Sequence, residues 1–405
     1  MEQKKKIIRV DKELHRCLYF FEILGLQYFS LRSLWKETKS PENPTILRGV
    51  YLFVILIILT ALMVNYILAD TDSMAAKVTA KNVLTYTVKN SMKIGMLVVL
   101  LVSGLQSFIS TKNVKRIFIN IQRLIDITDA EFDATIDFNV IRNNVKRNTA
   151  AVIIFFFLTH GSILVYVSTS SLEQALTIFM SSPPIIFILA TTFKFTLFVK
   201  IINCQLTFLK TLIEGIFNTQ KVKFIEFDMK IIPVRVASKS PSESFKKFIS
   251  AKKIYNLIYE NAGLVNDSMG FTVLIILIVH VIALTASGYQ LFVILVEQKM
   301  RQNIPETCYT ITLGLAMLIS MVTVCQKTQK IMTELATVVS KIECDNYEQL
   351  TDESREFVHK FYMQLNHQPV LFTAYGFYTI NLALLASILT GIISYQIILI
   401  QFYAA

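Results

Sequence analysis

Seven stretches of the chain are long and apolar enough to cross about 30 Å of hydrocarbon. They lie near residues 46–69, 84–110, 149–170, 183–204, 270–296, 308–327 and 374–402, with polar and charged residues between them. In lipid every backbone N–H and C=O must be paired within its own segment, so each stretch is expected to be a helix. The pattern therefore predicts an all-α membrane protein with seven transmembrane helices. Pro183-Pro184 suits the first turn of the fourth helix, where a missing N–H costs nothing.

Several helical patterns run past the span that contains them. The fourth continues from Pro183 to about Thr219, roughly 55 Å at 1.5 Å per residue. Ser242–Met269 reads as a helix leading into the fifth span, with Ile254, Leu257, Ile258, Leu264 and Val265 at helical spacing. The sixth continues through Cys325–Ile342. These extensions must bury their apolar stripes, either within one subunit or between subunits.

Charge sets the orientation. Residues 1–48, 111–148, 206–268 and 327–373 carry 32 Lys and Arg, while the opposite loops carry 5. Lys93, Lys194 and Lys200 fall within spans. The excess marks the cytoplasmic side, so the N-terminus is expected inside and the C-terminus outside. The organisation that follows is a cytoplasmic N-terminal segment (1–45) and a sensing bundle of helices 1–4 (46–204). Cytoplasmic extensions (205–269), helices 5–6 (270–327), a cytoplasmic anchor segment (328–373) and a last helix (374–405) complete it. The first sixteen residues are charged and precede no cleavable leader, so the first span is expected to target the chain to the plasma membrane.

Composition then removes several function classes. The chain has 405 residues, is 53% hydrophobic and has a net charge of +11. The basic residues lie between apolar runs rather than in one patch, which argues against a nucleic-acid partner. Cys17, Cys204, Cys308, Cys325 and Cys344 form neither CxxC nor a Cys/His ligand spacing. No metal, no cofactor and no enzyme chemistry is expected. A secondary transporter would show paired interrupted helices, which are absent from the pattern. A G-protein-coupled receptor would have the opposite orientation, with Asp-Arg-Tyr after the third span and Asn-Pro-x-x-Tyr in the seventh. Asn266-Asp267-Ser268 is a glycosylation sequon on the cytoplasmic side and is expected to stay unused.

Ionisable groups at membrane depth face a bundle interior or a wet cavity. Lys93, His160, Lys194 and His280 lie there. Neutral, hydrogen-bonded core positions are the expectation for both histidines. Lys93 either lines a pocket or reaches outward along its stem. In the last helix Ser394, Ile398 and Gln401 stand at spacings of four and three and share one face. If that face lines a pore, Ile398 is a hydrophobic constriction and Gln401 a neutral polar ring beside it. Otherwise Gln401 sits in the outer headgroup zone and bonds water.

The chain also resembles a known family. Its tail, Ser394-Tyr395 followed by five mostly apolar residues and Gln401-Phe402, is similar to the C-terminal signature of insect gustatory receptors, which usually begins with threonine. Phe361…Gln364-Leu365, Pro369-Val370, Phe372-Thr373-Ala374, Gly376-Phe377 and Leu384-Leu385 resemble that family's approach to its last helix. Phe21–Leu31 and Asn261–Leu274 are similar to its N-terminal segment and to its entry into the fifth span. The resemblance implies a ligand-gated, non-selective cation channel: a homotetramer, or a heteromer with related receptors, whose last helices line a central pore. It implies that Phe402 sits at the gate beside Gln401 and that Tyr395 bonds a neighbouring helix. It further implies an outward-facing pocket for a small tastant, for which Tyr86, Lys93, Tyr166, His280, Tyr289 and Gln290 are the candidates. No intramembrane carboxylate cluster suits a polyol, so bitter-type compounds are expected over sugars.

Overall fold

A computed structural model describes residues 80–132, 172–217, 241–297, 304–345 and 351–404, with Val54, Ile57, Ile58, Thr60, Ala61 and Val64 before them. Those six early positions, inside the first predicted span, are helical. The third predicted span and the N-terminal segment lie outside the described residues. The rest is almost entirely helical: α1 (Ala80–Ile109), α2 (Thr111–Phe132), α3 (Leu172–Phe217), α4 (Pro241–Glu297), α5 (Ile304–Asp345), α6 (Asp352–His367) and α7 (Leu382–Ala404). Two short strands, β1 (Thr373–Ala374) and β2 (Tyr378–Thr379), separate α6 from α7. Five of these helices are long and apolar enough to span a membrane.

α4 is the spine. Its 57 residues run about 85 Å, and it packs against α1, α2, α3, α5 and α7. Its first half lies in the charged end of the bundle, where Ile254, Ile258, Leu264 and Val265 are buried by the same chain. These stripes therefore find their cover within one subunit. The main core joins them to Phe118, Phe198, Leu209, Leu335 and Phe361. A smaller core of Val99, Ile188, Leu189, Ile276, Val279 and Met317 ties α1, α3, α4 and α5 at the other end.

Polar bonds fix the register at the charged end. Arg116 of α2 meets Glu260 of α4 at 2.6 Å, and Lys210 of α3 meets Glu334 of α5 at 2.7 Å. The Asn203 side-chain amide donates to the Val324 carbonyl at 3.0 Å and accepts from the Thr328 hydroxyl at 2.7 Å. α6 is capped by Thr351, whose hydroxyl accepts from the Ser354 N–H, with Asp352 and Glu353 in its first turn favouring the helix dipole. The Tyr255 hydroxyl donates to the Gln368 carbonyl at 2.6 Å, and burial pushes its phenol up, so it stays a donor.

Two expectations are corrected. α3 starts at Leu172, so Pro183-Pro184 lies inside the helix rather than in its first turn. Each proline removes one intrahelical bond. The long run that follows, 72% buried, supplies the packing that outweighs the loss. The last helix starts at Leu382 rather than at residue 374. Tyr375 and Gly376 both have positive φ (55° and 77°), and the Phe377 N–H donates to the Ala374 carbonyl at 3.1 Å, which closes a turn within the three-residue hairpin loop 375–377. Thr373 then pairs with Thr379 and Ala374 with Tyr378. Asn266 receives the Thr373 N–H at 3.1 Å and donates to the Leu371 carbonyl at 2.9 Å, which pins the hairpin to α4.

Candidate functional site

α7 has 23 residues, about 34 Å of helix, enough to cross the hydrocarbon once. One stripe of it rests on the bundle. Leu384, Leu385, Ile388 and Ile392 pack against the main core. Further along, the Gln396 side-chain amide donates to the Thr285 carbonyl of α4 at 2.5 Å. Tyr403 closes the stripe, with ring centroids 6.5 Å from Tyr289 and 5.5 Å from Phe292. These positions recur every three or four residues and form one helical face.

Among the described residues nothing buries the opposite face. It carries Ser387, Thr390, Ser394, Ile398 and Gln401, all exposed. The Ser387 and Ser394 hydroxyls donate to the carbonyls of Ala383 and Thr390, four residues back, at 3.0 Å. Hydroxyls satisfied this way are tolerated in an apolar setting. A glutamine amide offers two donors and a carbonyl, which one such bond does not meet. Gln401 is therefore the residue of this face that most needs water or a polar partner. Tyr395 and Phe402 stand at one flank, exposed by 60% and 71%.

The predicted ligand-pocket residues are distributed over different seams. Lys93 is buried on α1, two residues from Gly95, whose Cα lies against the Val279 side chain of α4. His280 is buried, with Nδ1 2.7 Å from the Ile276 carbonyl, and its ring approaches Gly314 of α5. Tyr289 is fully buried on the α4–α7 seam, beside the half-buried Gln290. Tyr86 lies on α1, with its side chain outside the described residues, and Tyr166 and His160 are outside them altogether. Lys194 is buried on α3. A cavity of about 570 Å³ opens elsewhere, between α5 and α6 at the charged end, lined by Gln329, Thr333, Thr337, Lys341, Tyr362 and Asn366 among others.

Sequence reasoning singled out Gln401 and passed over Gln396. Two glutamines five residues apart on a helix lie about 140° apart, so only one can share the face of Ser394 and Ile398. The other, as an amide in an apolar helix, was the available signal. Its partners Thr285 and Gly288 carry no mark that a single sequence reveals.

Comparison with known proteins places the whole arrangement. The family model described as 7tm Chemosensory receptor matches residues 14–405. Gustatory receptor 23a of Drosophila melanogaster is 28% identical over 161 residues, 38% of this chain. The match spans 41% of that receptor's length. The insect olfactory receptor OR5 of Machilis hrabei in complex with eugenol superposes with a TM-score of 0.65 at 13% identity, covering 98% of this chain and 99% of that one. The same receptor in a second structure gives 0.60 at 12% identity over the same shares. At such identity the likeness speaks for the fold.

Proposed function

The chain belongs to the 7tm chemosensory receptor family, and from that premise we propose that it is a gustatory receptor acting as a ligand-gated, non-selective cation channel. Its family is one of receptors rather than enzymes. Four copies surround a central pore lined by α7, with the N-terminus cytoplasmic and the C-terminus outside. One observation carries this reading: the exposed face of α7 holds Ser394, Ile398 and Gln401 opposite the stripe that seats the helix on its own chain. A polar stripe at membrane depth is stable facing water or protein, and a ring of α7 helices provides both. Ile398 then narrows the path by dewetting, Gln401 forms a neutral ring beyond it, and Phe402 and Tyr395 contact the neighbouring subunit.

The ligand is a small, largely apolar plant compound of the bitter type, entering a pocket to which Lys93 and the aromatic residues of the bundle contribute. The eugenol bound by OR5 supports a small aromatic ligand over a sugar. The test is current from this chain expressed alone in a heterologous cell and challenged with bitter and sugar panels. A chain truncated after Thr390 reaches the surface and passes no current, and replacing Ile398 or Gln401 alters conductance or leak. Normal current from the truncated chain removes α7 from the pore.

A further inference from the structure

We propose that Gln396, seated in a notch made by Gly288, is the latch that holds the C-terminal half of α7 against α4 and that opening the pore requires its release. The inference rests on the channel reading above and adds the residues that move the pore helix.

Three observations converge on it. At Gly288 the volume a Cβ would occupy is filled by the Gln396 amide, its nitrogen and Cδ both inside any normal contact distance. No larger residue at 288 keeps the amide where it is. The amide is aimed as well as fitted, since it donates to the Thr285 carbonyl at 2.5 Å. Thr285 turns its own hydroxyl back to the Val281 carbonyl at 2.8 Å, so it does not compete for the amide.

The attachment of α7 also changes along its length. Leu384, Leu385, Ile388 and Ile392 join the main core and hold the N-terminal half by many apolar contacts. Beyond Ile392 the seam with α4 includes the Gln396 bond and the ring of Tyr403 against Tyr289 and Phe292. Gly391 lies between the two halves, and a Cβ there would meet nothing within 4 Å. Among the described residues no side chain requires a glycine there, and glycine is the residue that weakens a helix interior most after proline. A weak point beside a firmly seated half, followed by a half held through one polar bond and the ring of Tyr403, is a helix built to bend at Gly391 when the latch lets go.

The latch places α4 in control of α7. Tyr289 follows Gly288 directly and is fully buried on the same seam. A ligand that displaces α4 near Tyr289 or Gln290 shifts the notch by the same movement and withdraws the Thr285 carbonyl from the amide. Gln396 is thus a positioning residue, since its role is exerted through α7.

The test uses the full chain in cell membranes. Gly288→Ala fills the notch, and Gln396→Leu keeps the bulk of the side chain but donates nothing. One hydrogen bond of ordinary strength corresponds to a shift of about fivefold in a two-state equilibrium. Each variant is expected to change the ratio of ligand-free to maximal current by about that factor at equal surface labelling. Paired substitution, Gly288→Cys with Gln396→Cys, is expected to form a disulfide on mild oxidation, detected as a linked peptide by mass spectrometry. The link is expected to abolish the ligand-evoked current, and reduction to restore it; each single cysteine serves as a control. A merely structural contact would lower surface expression without reversible loss of the evoked current. Absence of the linked peptide overturns the seam, and a linked chain that still responds to ligand overturns the latch. If the unmodified chain passes no current, the channel reading fails and the latch's gating role with it, while the peptide still reports whether α7 sits on α4.

Discussion

α3 and α7 are equally apolar along their membrane-length runs, yet the chain treats them in opposite ways. Of Ile185–Ile216 in α3, 72% is buried, while none of Leu382–Tyr403 in α7 is. α3 is held on several sides: Phe198 meets Phe118 of α2, Phe195 meets Phe372 beside the hairpin, and Asn203 bonds α5. Among the described residues α7 touches its own chain along one stripe. Apolarity thus says that a helix leaves water and is silent on what covers it. Lipid covers an aliphatic face at no cost. It does not satisfy the amide of Gln401, which needs water or a polar partner.

The strongest way to break the comparison is to remove the same kind of side chain from both helices. Leu209 is fully buried on α3, in the extension beyond its hydrocarbon span. Leu209→Ala is expected to cost about 2–5 kcal/mol through lost contacts and a residual cavity. The readout is the temperature at which the detergent-solubilised protein stops eluting as a folded species on size exclusion. A loss below about 1 kcal/mol would mean that α3 is less tightly enclosed than its burial implies.

The contrast between these helices also marks what the sequence makes legible. The spans near 84–110, 183–204, 270–296 and 308–327 stand out because a membrane demands continuous apolar runs, and each falls within an observed helix. The extensions of α3, α4 and α5 were equally legible, because helical spacing carries past the hydrocarbon run, as Ile254, Ile258, Leu264 and Val265 do on α4 ahead of its span. The hairpin before α7 was not. Phe372–Ile380 is apolar enough to be taken for the start of a helix, and the turn depends on Tyr375 adopting a left-handed conformation that a bulky residue rarely takes. The shared face of Ser394, Ile398 and Gln401 followed from helix geometry alone. The seating of Gln396 on Gly288 did not, since it is a contact between positions more than a hundred residues apart. Helical periodicity reports which residues share a face, and tertiary packing decides which face is covered.

A smaller effect sharpens the α3 side. Asn203 accepts from the Thr328 hydroxyl and donates to the Val324 carbonyl, and both partners lie on α5. Asn203→Ala leaves the buried hydroxyl and carbonyl with one bond fewer, at an expected cost of about 1–3 kcal/mol. Asn203→Asp keeps an acceptor for Thr328 and places a carboxylate against the Val324 carbonyl, so it should be at least as damaging. Thermal scans of the two variants under identical conditions rank them. If alanine proves the worse, then the bond to Val324 contributes little and α3 is held by its apolar contacts.

The smallest expected effect lies on α7. Ile393 is 61% exposed on the helix, so in a single subunit Ile393→Ala replaces one lipid contact by another. Its expected effect on folding is within about 0.5 kcal/mol. The same substitution also probes what stands opposite that face. If native mass or cross-linking shows a multimer, and Ile393→Ala weakens the multimer while leaving the monomer's thermal transition unchanged, then a neighbouring subunit covers the face. If neither changes, lipid covers Ile393, and any contact of α7 with water or a second subunit lies on another face. A large loss in the isolated subunit would overturn the comparison at its root, because α7 would then be packed against its own chain as α3 is.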